Sequence, residues 1–198
     1  MTRCKKMVPF KRLNRGGFSL VEVLIAVSVI GILSASAVPL IGTQIEKARR
    51  SRAASEVSSI KDAFVRLIED TRQKPIGTTV NPIAVLESGG TRPPNGDPAG
   101  NFLGQMANGS TAQDMSFHLE VNNGNFYDGR NSEKNGWQGP YLQTNLLGDP
   151  WGMRYQVNVQ GFRDSGPVWV LSAAEDQIVQ QVVTATTINA ADIGQRLN

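Results

Sequence analysis

At 198 residues the chain has room for one ordinary globular domain and an additional segment, not for two full domains. Its 40% apolar content is ordinary, and 20 glycines and 10 prolines exclude a plain helix bundle in favour of a turn-rich α+β fold. The net charge of +3 invites a nucleic-acid partner, but six of the 20 basic residues stand in the first 17 positions without an acid, and setting them aside leaves 14 against 17 acidic ones.

Residues 1–17 are a basic leader, carrying Arg3, Lys5, Lys6, Lys11, Arg12 and Arg15. The chain beyond the leader is net acidic, so it has no broad phosphate-binding footprint and no nucleic-acid partner is expected. Cys4, the only cysteine, also lies in the leader. An intrachain disulfide is therefore excluded, and a chain cut after Gly17 carries no thiol.

Residues 18–45 form the next element, in which Glu22 is the only charge. The run Phe18 to Val38 is 21 residues long. At ~1.5 Å per residue such a helix covers the ~30 Å hydrocarbon core of a bilayer. The leader cations hold the N-terminus in the cytoplasm and send the rest outward, against a weaker opposing cluster at Lys47, Arg49, Arg50 and Arg52. A buried core helix, a simple anchor and a signal peptide cut at Ala35-Ser36-Ala37 are the competing readings. Glu22 separates them. A carboxylate in a spanning helix costs ~2 kcal/mol or more to insert, and neither a disposable signal nor a simple anchor gains by it. A filament subunit does gain. After a cut between Gly17 and Phe18, Glu22 lies one helical turn from the new ammonium, and in a stack of identical helices it can neutralise that of a neighbour.

The stretch Arg15-Gly-Gly-Phe-Ser-Leu-Val-Glu-Val-Leu-Ile resembles the signal of type IV prepilins and of the pseudopilins of type II secretion. The resemblance implies that a prepilin peptidase cuts between Gly17 and Phe18 and methylates Phe18. It also implies that Glu22 and Pro39 serve assembly, Pro39 falling where many such chains have a helix-bending proline.

Residues 46–74 continue the helix in amphipathic form. Ala53, Val57, Ile60, Phe64 and Leu67 make one apolar stripe, and Asp62/Arg66 and Arg66/Asp70 are opposite charges at i, i+4 on the other side. Lys74-Pro75 and Gly77 stop the helix near Gln73.

Residues 75–136 read as a loop-rich insertion. Its first part, 75–100, is expected to be a surface loop rich in proline and glycine. Met115, Phe117, Leu119 and Val121 alternate with polar residues and predict a short strand with His118 on its surface, followed by a turn at Asn122-Asn123-Gly124-Asn125.

Residues 137–198 hold the sheet and a C-terminal loop. Strands are expected at Arg154 to Gln160, Val168 to Ser172 and Ile178 to Thr187, with Gly161 to Pro167 as a hairpin loop. The fold class is thus α+β: a long N-terminal helix, half membrane-spanning and half amphipathic, on a small antiparallel sheet of three or four strands.

This part resembles the major pseudopilins of type II secretion through Gly139-Pro-Tyr-Leu, Asp149-Pro-Trp-Gly with Tyr155, Leu171-Ser-Ala-Ala-Glu-Asp176 and Ala191-Asp192-Ile193. The resemblance implies a calcium site using Asp176 and Asp192, although Ala174 and Gln177 stand at the usual glycines and the intervening loop is longer. It covers 18–74 and 137–195.

A single histidine, and the lack of a phosphate loop, CxxC, HExxH or GxSxG, leave no catalytic residues to name. The resemblance implies a structural subunit of the inner membrane with a periplasmic head, forming homo-oligomeric filaments with minor pseudopilins and relying on a prepilin peptidase and an inner-membrane assembly platform. A type IV pilin of an adhesion or motility pilus and a signal-anchored binding domain are the alternatives.

Overall fold

Helix α1 runs Leu20–Thr71, 52 residues. The computed structural model describes residues 17–79, 81–93, 111–122, 126–127, 135–142, 147–182 and 184–198, without the side chains of 36–40 and 111. The leader up to Gly16, the Pro39 side chain and the Asn123-Gly124-Asn125 turn lie outside the described residues. The chain divides into two compact units, Met1–Gln44 and Ile45–Asn198.

Within the second unit α1 carries the predicted stripe. Ala53, Val57, Ile60, Phe64 and Leu67 are all fully buried. The helix ends at Thr71, whose Oγ1 donates to Leu67 O at 2.6 Å. Arg72 then turns left-handed at φ 56°, its N–H still donating to Ile68 O at 2.8 Å. The stop thus comes two residues before Gln73. Among the described residues neither Asp62/Arg66 nor Arg66/Asp70 closes as an ion pair; Arg52–Glu56 does, at 2.8 Å. An exposed pair gains too little Coulomb energy to hold two long side chains in one geometry, and Asp70 lies instead beside the Tyr141 hydroxyl.

The sheet has five strands: β1 (Ile83–Glu87), β2 (Thr111–Asp114), β3 (Gln156–Val157), β4 (Trp169–Ser172) and β5 (Ile193–Arg196). Their order is β2-β1-β3-β4-β5. The expected antiparallel pairing holds for β3/β4, with Gln156 opposite Leu171; β1/β3 and β4/β5, which were not expected, are antiparallel too, but β1 and β2 are parallel. The sheet is mixed, not purely antiparallel.

Three further expectations are corrected. First, β1 lies within the stretch read as a surface loop, and all five of its residues are buried. Ile83 and Leu86 join the α1 stripe and Val157, Val159, Val168 and Val170, while Ala84 and Val85 join Trp169, Leu171, Ala173 and Val179 on the other face. A strand covered on both faces shows no alternation, so its run of apolar residues carried no strand period. Second, Met115 to Val121 is not a strand. The strand precedes it as β2, and α2 (Ser116–Leu119) comes next, with Asp114 Oδ1 accepting from Ser116 N–H at 2.8 Å. Buried Met115, His118 and Leu119 stand at helical spacing. Third, the described residues from Ile178 to Thr187 form no strand beyond a single bridge at Val179; the last strand is β5, where a Cβ on Gly194 would collide with Leu171 and Ile188. The link between β3 and β4 contains a short helix, α3 (Gln160–Asp164).

Glu87, 3% exposed at the end of β1, sits in a polar cluster. Arg92 donates to its Oε2 at 2.7 Å and Arg154 at 3.0 Å, and Gln156 Nε2 donates to its Oε1 at 2.7 Å. Burial pushes this carboxyl up, and Arg92, Gln156 and Arg154 together outweigh burial and hold it below its usual range.

His118 is buried, not a surface residue as read from the sequence. Nε2–H donates to Gln113 Oε1 at 2.9 Å, leaving Nδ1 to accept the Tyr127 hydroxyl at 2.8 Å, and Phe126 stacks on the ring at 4.7 Å. Burial depresses the imidazole from 6.5 to about 4 against the opposing charge of Asp114.

Two outcomes are expected. Phe64→Ala should cost about 3–5 kcal/mol, read as a lower unfolding midpoint of the chain in detergent; a loss under about 1 kcal/mol would contradict a close-packed stripe. The folded state keeps His118 neutral where the unfolded chain protonates it. Its contribution is therefore complete above pH 6.5 and is lost as pH falls towards 4, by up to ~1.4 kcal/mol per pH unit. His118→Gln should flatten the stability profile across that window, and an unchanged slope would show that the ring is not held neutral.

Candidate functional site

In the first unit Gly17, Phe18 and Ser19 precede α1, and Glu22 falls in the first helical turn. A carboxylate there is favoured by the unsatisfied N–H groups of the helix end. From Phe18 to Leu33 every large apolar side chain is at least half exposed, from 50% at Val29 to 83% at Phe18. So continuous an apolar surface marks a contact face with lipid or with other chains. Among the described residues, no cation pairs with Glu22, and no helix is long and apolar enough to cross a membrane. The span read from Phe18 to Val38 includes positions 36–38, whose side chains are not described.

In the second unit the two motif loops that flank the sheet meet. Asp149 is 5% exposed. Its Oδ1 accepts from Trp151 N–H at 3.0 Å and Met153 N–H at 2.9 Å, and its Oδ2 accepts from Ser172 Oγ at 2.6 Å. Gly152, at φ 85°, donates its N–H to Asp149 O at 2.9 Å. The Asp-Pro-Trp-Gly segment is therefore a turn fastened to the end of β4. Three residues on, the buried Tyr155 donates its hydroxyl to Glu56 Oε2 of α1. Burial first, and the Glu56 carboxylate second, drive the Tyr155 hydroxyl far above its ordinary range. Gly139-Pro-Tyr-Leu docks on α2: Trp137 Nε1 donates to His118 O at 3.1 Å and Tyr141 N–H to Leu119 O at 2.7 Å.

Asp176 is exposed and Asp192 is 6% exposed. Both accept from Gln180: its side-chain amide bonds Asp176, and its backbone N–H bonds Asp192. Burial pushes the Asp192 carboxyl up to about 7; backbone N–H groups pull it down and the neighbouring Asp176 adds to the rise. Ala174 and Gln177 take φ 55° and 60°, so they occupy the left-handed region that glycine usually fills. On the adjoining turn Arg50 of α1 pairs with Glu175 at 2.8 Å. Among the described residues no group of three or more His, Cys, Asp or Glu comes together to hold a metal ion.

A cleft of about 550 Å³ is lined by Lys74, Asn81, Gln113, His118 and Tyr127. Both ring nitrogens of His118 are already bonded, so the cleft has no free imidazole base.

The sequence pointed to Asp149, Tyr155, Asp176 and Asp192 but not to their partners. Ser172, Glu56 and Gln180 are polar residues whose roles arise only when distant segments meet. The one signal in the sequence was two adjacent glutamines, Gln180 and Gln181, inside an otherwise apolar stretch.

Residues 12–38 match the prokaryotic N-terminal methylation motif. Residues 126–194 match protein G of the type II secretion system. The "Fimbrial protein" of Dichelobacter nodosus is 26% identical over 175 residues, covering 88% of this chain and 86% of that protein. No solved structure matches the chain. The methylation motif, the match to protein G and the long helix packed on a small mixed sheet all support a type IV pilin-like chain; the pilins and pseudopilins it is similar to are structural subunits and not enzymes.

Proposed function

We propose that the chain is a structural subunit of a periplasmic pseudopilus that drives type II protein secretion. It enters the inner membrane once, with its leader in the cytoplasm and its head in the periplasm. A prepilin peptidase cuts between Gly17 and Phe18 and methylates Phe18, and an inner-membrane platform extracts the subunit into a filament with minor pseudopilins. The observation that supports secretion over a pilus is the match of 126–194 to the type II secretion protein, since that span includes the Asp149 turn, Ser172 and the Asp192 loop. The fimbrial relative supports a second reading, a type IV pilin.

The assembly chemistry arises from the N-terminal helix. Among the described residues the large apolar side chains from Phe18 to Ile32 are at least half exposed in the single chain, and neighbouring copies bury them by van der Waals packing. Such packing is nearly indifferent to sliding, because one aliphatic contact resembles the next. Glu22 removes that indifference. An unpaired carboxylate among lipid tails or packed helices costs several kcal/mol. Only the axial offset that brings Glu22 to the Phe18 ammonium of a neighbour avoids that cost, so Glu22 sets the register. Pro39 removes one N–H from the helical ladder and is where bending costs least.

The mature N-terminus should be methylated Phe18 by mass spectrometry; a terminus at Val38 would end the pilin-like processing scheme. Glu22→Leu should leave membrane insertion and cleavage intact while filament yield and secretion drop by at least about tenfold, the factor that ~1.4 kcal/mol of lost register energy gives. Normal filaments from that variant would refute the register mechanism. Loss of the gene should leave secreted proteins in the periplasm; lost surface pili with normal secretion would favour the pilin reading.

A further inference from the structure

The loop that closes the head has two acids and one glutamine at its neck. Asp176 comes after β4 and Asp192 precedes β5, and these are the acids that a calcium ion would bridge. In this chain all four of their carboxylate oxygens already accept N–H groups. Ile178 N–H donates to Asp176 Oδ1 at 3.1 Å and Gln180 Nε2 to Asp176 Oδ2 at 2.5 Å. The Gln180 backbone N–H is shared between Asp192 Oδ1 at 3.2 Å and Oδ2 at 3.0 Å.

A hard divalent cation takes six or more oxygens, commonly including several carboxylates. Here the described residues assemble only two acids. The residue between them, Gln180, presents its N–H groups to both, which is the polarity a cation would otherwise supply. The rest of the loop is closed in the same way. Gln181 is fully buried; its Nε2 donates to Val182 O at 3.1 Å and Thr187 O at 3.2 Å, and its Oε1 accepts from Asn189 N–H at 2.6 Å. Asn189 Oδ1 in turn accepts from Ala191 N–H at 3.0 Å, next to Asp192. The neighbouring acid Glu175 is matched by Arg50.

We propose that this loop is closed without a metal ion, with the Gln180 amide standing where a cation would bridge Asp176 and Asp192 and Gln181 clamping the span between them. Gln180 then decides metal dependence. A carboxylate in its place withdraws the donor and adds a third acid, converting an amide-bridged neck into an oxygen-rich one. The inference holds for either kind of filament.

The test uses the full chain in detergent, unfolded thermally in chelator and in millimolar calcium, with equilibrium dialysis against labelled calcium alongside. The wild type should have the same midpoint in both, within about 1 °C, and retain no calcium in dialysis. Gln180→Glu should unfold earlier in chelator and regain about 4 °C or more with calcium, as mass action requires of a ligand that binds only the folded state. A wild-type midpoint that rises on adding calcium, or stoichiometric calcium in wild-type dialysis, overturns the proposal whether or not the variant folds. A folded Gln180→Glu chain indifferent to calcium also overturns it, because the amide then does not stand at a cation position.

Discussion

The burial of one helical stripe organises the whole head. Val57, Ile60, Phe64 and Leu67 need an apolar surface nearly three helical turns long, and strands β1, β3 and β4 provide it through Ile83, Leu86, Val157 and Val170. The polar attachments only make sense once that contact exists. Tyr155 reaches Glu56 because β3 lies under the helix, and the Asp149 turn can grip Ser172 because β4 lies beside β3. Hydrophobic burial brings the layers together without direction, and these few hydrogen bonds choose one arrangement among the many that would bury the same area.

The same logic governs the buried charge. Glu87 stands inside the sheet with Arg92, Arg154 and Gln156 around it. A buried ion pair of this kind adds little net stability over an apolar replacement, but removing one partner strands the other. Its four members come from β1, the residue run after it and the start of β3, so the cluster ties together segments that are far apart in sequence. The pairing of β1 with β3, which sets Glu87 opposite Gln156, brings them together.

How much of this was legible in the sequence differed by element for physical reasons. The helix stripe showed because one face of an amphipathic helix repeats at 3.6 residues, and the β3/β4 hairpin showed because apolar runs flank a turn-rich link. Strand β1 did not show, since burial on both faces erases alternation and Pro82 and Gly89-Gly90 surround it with turn signals. Met115 to Val121 misled because positions 115 and 119 satisfy both a two-residue and a four-residue spacing. Gly17, Phe18 and Glu22 were singled out on local spacing, which a sequence displays directly. Gln180 was not, because its significance depends on two acids at either end of a loop meeting in space.

The parallel pairing of β1 with β2 has a topological consequence. Antiparallel neighbours can be joined by a tight turn, but parallel neighbours oblige the chain to travel the full length of the strand and return before pairing can begin. In sequence, residues 88–110 separate the two strands. Their length is therefore an obligation of the sheet and not an ornament on its surface. A shorter relative with only a tight link after β1 could keep the antiparallel core of β1, β3, β4 and β5, but it would have to give up β2, and with it the buried histidine that hydrogen-bonds to that strand's Gln113.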